Sequence, residues 1–297
     1  MARLRQGCGP PPDRTAPGRS RRGRIGGSRG ELPSSVVTTD HTCPVGWAAD
    51  HGLLQGSPVD RSWCLSHQMD TVMSLEPVNP MAPELLLWQQ GALSVFYAPW
   101  DWVNTSASVM LVGITPGLHQ ATEALVEVRR SLAGGLSPED ALRRADAVGS
   151  FSGPMRTNLV TMLDGIGLAA ALEIESTAQL FDDMHHLAGH VSAIDYPVFV
   201  HGRNYSGANP SLVGHPVLAS LVRACLGPRV AMAPDALVVP LGKAAVAAVD
   251  FLARQDLLDR RRCLLGLPHP SGANGHRVRL YTERRAELAH ALLAWRA

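Results

Sequence analysis

Lysine is almost missing from this chain: Lys243 stands alone beside 26 arginines in 297 residues. That imbalance reads as a GC-rich coding bias, not as a functional choice. Long apolar runs are missing too, and a helix needs about 20 consecutive apolar residues to cross a bilayer. The arginine-bearing amino terminus is followed by no apolar stretch of signal-peptide type, so a soluble cytoplasmic protein is expected. Cysteine is scattered: Cys8, Cys43, Cys64, Cys225 and Cys263 are odd in number and never form a CxxC pair. That pattern argues against a disulfide framework or a thiolate metal site, and neither metal nor cofactor is expected.

What is present bounds the rest. Apolar residues make up 45% of the chain, enough for a substantial core, and the formal net charge is +1. Residues 1–68 carry nine Arg and five Asp/Glu, which leaves 18 of the 27 basic and 21 of the 26 acidic residues in 69–297. Such a body suits a small-molecule enzyme and is awkward for a DNA binder, although a local basic edge would serve. Residues 1–68, with Pro10-Pro11-Pro12 and the Arg/Gly/Ser run from Gly18 to Arg24, bury too little apolar surface to offset chain entropy. Two readings stay open for them: a disordered basic arm, or an over-extended gene start with the true beginning near Met69 or Met73.

Residues 69–297 read as one domain. Glu84 to Leu93 predicts a helix, followed by an aromatic stretch from Phe96 to Trp102. Val109-Met110-Leu111-Val112 predicts a buried strand. Leu125, Val128 and Leu132 recur at helical spacing, and Ser137 is a candidate N-cap before Pro138. A further helix is expected over about Asn158 to Ile166. Val198 to Val200, Leu237 to Leu241 and Leu264 to Leu267 predict three more strands. Helices follow at Ala244 to Leu252 and from Thr282 through Trp295. Apolar strands separated by helices imply an α/β fold: a three-layer α/β/α arrangement around a central, mostly parallel four-stranded sheet.

Two loops stand out. Gly113-Ile114-Thr115-Pro116-Gly117 follows the first strand, and His269-Pro270-Ser271-Gly272 follows the last. Loops at the carboxyl ends of parallel strands can wall one crevice, the usual ligand site of open α/β sheets. The first loop is similar to the first motif of mismatch-specific uracil/thymine-DNA glycosylases, with Thr115 where those enzymes usually have Asn. The second resembles the His-Pro-Ser motif of several branches of the uracil-DNA glycosylase superfamily. Phe151-Ser152-Gly153-Pro154 resembles the segment that supplies a stacking platform. Phe199-Val200-His201 with Asn204 resembles the base-reading strand, and Leu241-Gly242-Lys243-Ala244-Ala245 the usual strand-to-helix joint.

The resemblance implies a monofunctional DNA glycosylase that flips a deaminated base, uracil by default, and hydrolyses its N-glycosidic bond to leave an abasic site. Negative charge grows on the departing base, so N–H donors are wanted there: His269, with the backbone around Gly113, Ile114 and Thr115. Thr115 would orient water but is a poor general base at neutral pH, and Asp101 or Asp195 are the candidate substitutes. Phe151 would stack on the flipped base and Asn204 would read its edge. Ser271, Gly272, Asn274 and Arg277 would meet DNA, with Arg277 filling the gap or touching phosphate. Leu118 to Gly149 is longer than the relatives' connection and is expected to form an added helical cap. No Lys lies in either motif, so no Schiff base is expected. The implied partner is DNA containing a damaged base, bound by a monomer in the cytoplasm near the nucleoid.

Blander readings stay open beside these. Phe151 would also serve as ordinary core, Asn204 as a turn residue, and Arg260-Arg261-Arg262 as a solvated turn. His185, His186 and His190 read as solvated, since no HExxH arrangement accompanies them. Two other functions remain: a non-catalytic nucleic-acid-binding module on the same fold, and a nucleotide- or nucleoside-processing enzyme.

Overall fold

A run in which every residue is buried needs cover on both faces, and Val109 to Val112 finds it. The computed structural model describes residues 63–296. In chain order these form α1 (Leu65–Ser74), β1 (Leu86–Gln90), β2 (Leu93–Phe96), β3 (Val109–Gly113), α2 (Leu118–Ala133) and α3 (Pro138–Gly149). Then come α4 (Pro154–Gly165), α5 (Leu168–Ala171), β4 (Ala188–Ser192), β5 (Val198–Val200) and β6 (Arg203–Asn204). The chain ends with α6 (Pro216–Met232), β7 (Leu237–Pro240), α7 (Lys243–Ala253) and α8 (Arg277–Arg296).

The fold is mixed α/β with two sheets. One is parallel, in the order β4-β3-β7, with Leu111 opposite both His190 and Val239. Successive side chains of β3 alternate between two cores. Met110 and Val112 join α6 and α7 residues such as Leu221 and Val249, whereas Val109 and Leu111 join Leu159 of α4 and Leu288 of α8. The segment after residue 262 lies beside β7: Leu264 N–H donates to Val238 O at 2.8 Å, and Gly242 N–H to Leu267 O at 2.9 Å. Only one bridge, Val238 to Cys263, is regular there. Gly266, at φ +114°, breaks the extended run, so the fourth strand expected over 264–267 is an irregular strip.

The second sheet is antiparallel, in the order β1-β2-β5-β6. It corrects two expectations. Glu84 to Leu93 is not a helix but a 3-10 turn at Pro83–Leu85 followed by β1 and a turn through Gly91 at φ +59°. The helix-forming residues there yield to pairing with the fully buried β2, a tertiary override of local propensity. Val198 to Val200 is a strand, but it pairs antiparallel with β2 instead of joining the parallel sheet.

The domain boundary expected at 68/69 falls inside α1. Trp63 and Leu65 are buried, and the Tyr196 hydroxyl donates to Trp63 O at 2.9 Å. A chain starting at Met69 or Met73 would lose that packing. Cys64 is disulfide-bonded, while Cys225 and Cys263 are free thiols. Residues 1–62 of the expected 1–68 arm lie outside the described residues. Ser137 caps α3 as expected, accepting from Asp140 N–H at 3.1 Å. The last helix begins at Arg277, and Thr282 sits within it. No described helix is long and apolar enough to cross a membrane.

Candidate functional site

Parallel register puts the carboxyl ends of β3 and β7 side by side, and the loops that leave them wall a crevice of about 770 Å³. The Gly113–Gly117 loop forms one wall and the His269–Asn274 loop another, with Phe151, Asn204 and the start of α7 between. Gly113 matters by what it lacks: a Cβ there would stand 3.4 Å from Cε1 of Phe151. Phe151 is buried with φ +52°, and its ring meets Phe181 and His190 edge-on at 6.4 and 6.3 Å. It is thus both core residue and crevice wall.

His269 holds a defined tautomer. Its Nδ1 accepts from Ser271 N–H at 3.2 Å, and burial lowers its pKa. The neutral ring therefore carries its proton on Nε2, which bonds no described residue and is a donor for a ligand. The loop is braced from three sides. Asn158 Nδ2 donates to Pro270 O at 3.0 Å, Asn274 Nδ2 to His269 O at 3.1 Å, and Arg277 to Ser271 O at 2.9 Å. Gly242, at φ +85°, lets His269 come close, since a Cβ there would lie 2.8 Å from the His269 Cβ.

Several expected roles are altered by these contacts. Arg277 braces its own loop through one guanidinium nitrogen, Nη1, which donates to Ser271 O. The Ser271 hydroxyl accepts from Ala273 N–H at 3.2 Å, and Gly272 is exposed with open space around it. Asn204 lies on β6, not in a turn; its Oδ1 accepts from Leu118 N–H at 2.9 Å and so holds the start of α2. The Thr115 hydroxyl donates to Tyr196 O at 2.6 Å and accepts from Val198 N–H at 3.2 Å. It ties the loop to the segment leading into β5 instead of facing a reactant.

Neither substitute carboxylate lines the crevice. Asp101 accepts from Leu65 N–H at 2.8 Å and Tyr97 OH at 2.7 Å, and burial pushes its pKa up to about 7. Burial also raises Asp195, against the pull of Arg229, whose Nε stands 2.7 Å away. Arg260 and Arg261 pair with Asp250 and Asp259, and Arg262 caps carbonyls at the end of α6, so this run is engaged within the protein.

The histidines hold the largest surprise. His186 is exposed, but His185 and His190 are buried and share one oxygen of Asp146, at 2.9 and 3.0 Å. Burial alone would raise Asp146, yet the two imidazoles outweigh it and hold the carboxyl below its usual range. Burial keeps His190 neutral by lowering its pKa. Trp102 stacks on His185 and Phe181 on His190. These three side chains are the one cluster of metal-type ligands among the described residues, with ligand atoms within 4.8 Å. Both rings already lie at hydrogen-bond distance from the same oxygen, so the geometry is that of a carboxylate satisfied by two N–H groups. Asp146 reaches this spot on α3, part of the expected helical addition. No local spacing links residue 146 to 185 and 190, so sequence reasoning missed the trio. It also missed Ser150, Met155 and the Tyr205–Ala208 stretch, which line the crevice together with Trp100 of the aromatic stretch.

No family model matches the chain. No solved structure matches it. Among curated proteins it is similar to "Uncharacterized protein YoxB" of Bacillus subtilis (strain 168), 37% identical over 226 residues that cover 75% of this chain and 88% of the relative. Identity at that level over most of both chains means common descent, and the chain belongs to the YoxB family.

Proposed function

We propose that this protein is a DNA N-glycosylase that takes a flipped, deaminated base into the crevice and breaks its glycosidic bond, leaving an abasic site. The observation that carries the reading is the meeting of three features in one crevice: the Gly113 loop, the Phe151 ring and a neutral His269 with a free Nε2–H. A flat base would lie against Phe151 where Gly113 leaves room. His269 would donate to the base oxygen as negative charge develops, with Ile114 and Thr115 N–H groups assisting. The irregular 263–267 strip beside β7 supports a four-stranded, uracil-DNA glycosylase-like sheet between two helical layers.

Thr115 acts as a clasp in this reading and not as the group that activates water. Departure of the base, aided by His269, then dominates the barrier. Uracil is the default base, with hypoxanthine and xanthine next. A monomer working on damaged DNA in the cytoplasm, at the nucleoid, completes the proposal. The engaged Thr115 hydroxyl favours one rival, a nucleic-acid-binding module without catalysis. Alkali-revealed cleavage of labelled oligonucleotides containing uracil, hypoxanthine or xanthine decides between them. Cleavage by the wild type that disappears in His269→Ala supports the glycosylase. DNA retention in a gel shift without cleavage of any substrate supports the binding module.

A further inference from the structure

Among the described residues no Asp or Glu lines the crevice, and Lys243 is the only Lys or Arg that does. Lys243 lies outside both loop motifs, where no Schiff base was expected. In the structure it is exposed at the first position of α7, directly after the glycine that packs against His269. Three hydroxyls of the crevice are engaged: the Thr115 hydroxyl donates to Tyr196 O, the Ser150 hydroxyl donates to Asp146, and the Ser271 hydroxyl accepts from Ala273 N–H. A crevice that lacks a carboxylate to activate water, yet presents a primary amine, is suited to amine–carbonyl chemistry.

We propose that Lys243 attacks the abasic sugar and nicks the strand, giving this protein a lyase activity beyond base release. The inference rests on the glycosylase reading only for the origin of the abasic site. The ring-opened sugar presents an aldehyde at C1′. Nζ passes a proton to water and its lone pair forms a bond to C1′; the carbonyl oxygen takes one proton from the attacking nitrogen and one from solvent and leaves as water, giving an iminium. That cation acidifies C2′, whose proton passes to water. The freed electron pair forms the C2′–C3′ double bond as the C3′–O bond breaks, and the phosphate leaves on the downstream strand. Water then hydrolyses the imine and returns Lys243 as the amine. No oxidant or reductant is needed.

The test uses the full chain with oligonucleotides carrying a preformed abasic site, trapped by sodium cyanoborohydride and resolved on a denaturing gel. The wild type is expected to yield a covalent protein–DNA band, because no base has to leave. Lys243→Arg keeps the charge but cannot form an imine, so both band and nicked product are lost. Absence of the band with wild type overturns the proposal, and so does a band that survives in Lys243→Arg. Base release is scored separately by alkali on the uracil, hypoxanthine and xanthine substrates. Release without trapping removes the lyase and leaves the glycosylase. Trapping on abasic DNA without release of any base keeps the amine chemistry and removes the glycosylase reading.

Discussion

Ser271 N–H decides which nitrogen of His269 carries the proton, and that choice makes the ring a donor toward the crevice. An NMR titration of His269 should give a value below the ordinary 6.5, because burial opposes its charged form. A midpoint at or above that value would mean the ring is better solvated than its place in the crevice implies. Losing a donor aimed at developing negative charge costs roughly 10²–10³ in rate, so base release by His269→Ala should fall by about that factor in single-turnover assays. Phe151 has two duties. Truncation of a buried Phe costs about 3–5 kcal/mol, so Phe151→Ala should lower urea stability as well as activity. A variant that loses activity at unchanged stability would show that the ring is not part of the core.

At the scale of elements, the crevice depends on close approaches at strand ends. Gly242→Ala would force a Cβ against His269 at a positive φ. The variant is expected to remain folded but to lose base release, read by circular dichroism beside the oligonucleotide assay. Normal activity would show that the loop can retreat. Strands β3 and β7 and the Gly113 loop were legible in the sequence because their signals are local, buried apolar runs ending in Gly-bearing turns, whereas β4, with Gly189 and His190 inside it, lacks such a run and was not among the expected strands. Ser137 was legible for the same reason, as a short polar side chain one residue before a proline. The β1–β2 hairpin was not, since residues 84–93 carry helical preferences that only pairing with β5 and the core overrides. The Asp146–His185–His190 trio was hidden too, because three separate elements deliver it. Part of the crevice wall, from Trp100 and from 205–208, comes from segments whose sequence reads as packing or turn.

Across the whole molecule, two buried acids pull stability in opposite directions with pH. His190 is held below its ordinary pKa, so just below pH 6.5 the unfolded chain binds more protons and stability is lost as pH falls. Asp101 is raised to about 7, against roughly 3.9 when unfolded. Its contribution is fully present below the unfolded value and is lost as pH rises through the folded one. Asp101→Asn keeps an oxygen for Leu65 N–H and Tyr97 OH while removing the charge. Urea unfolding at pH 5 and pH 8 should show a smaller decline for this variant than for wild type. An equal decline would clear Asp101 of responsibility.

Thr115 leaves a last consequence, one of connection. Its hydroxyl joins the β3 loop of the parallel sheet to the backbone at Tyr196 and Val198, where β5 of the antiparallel sheet begins. It is a fastener between two halves of the scaffold. An Asn at this position would exchange the fastener for a longer side chain that cannot occupy the same space. Thr115→Asn should therefore weaken the fold without quickening the reaction. A single exchange in this loop would be felt in both sheets at once, because one hydroxyl pins each to the other.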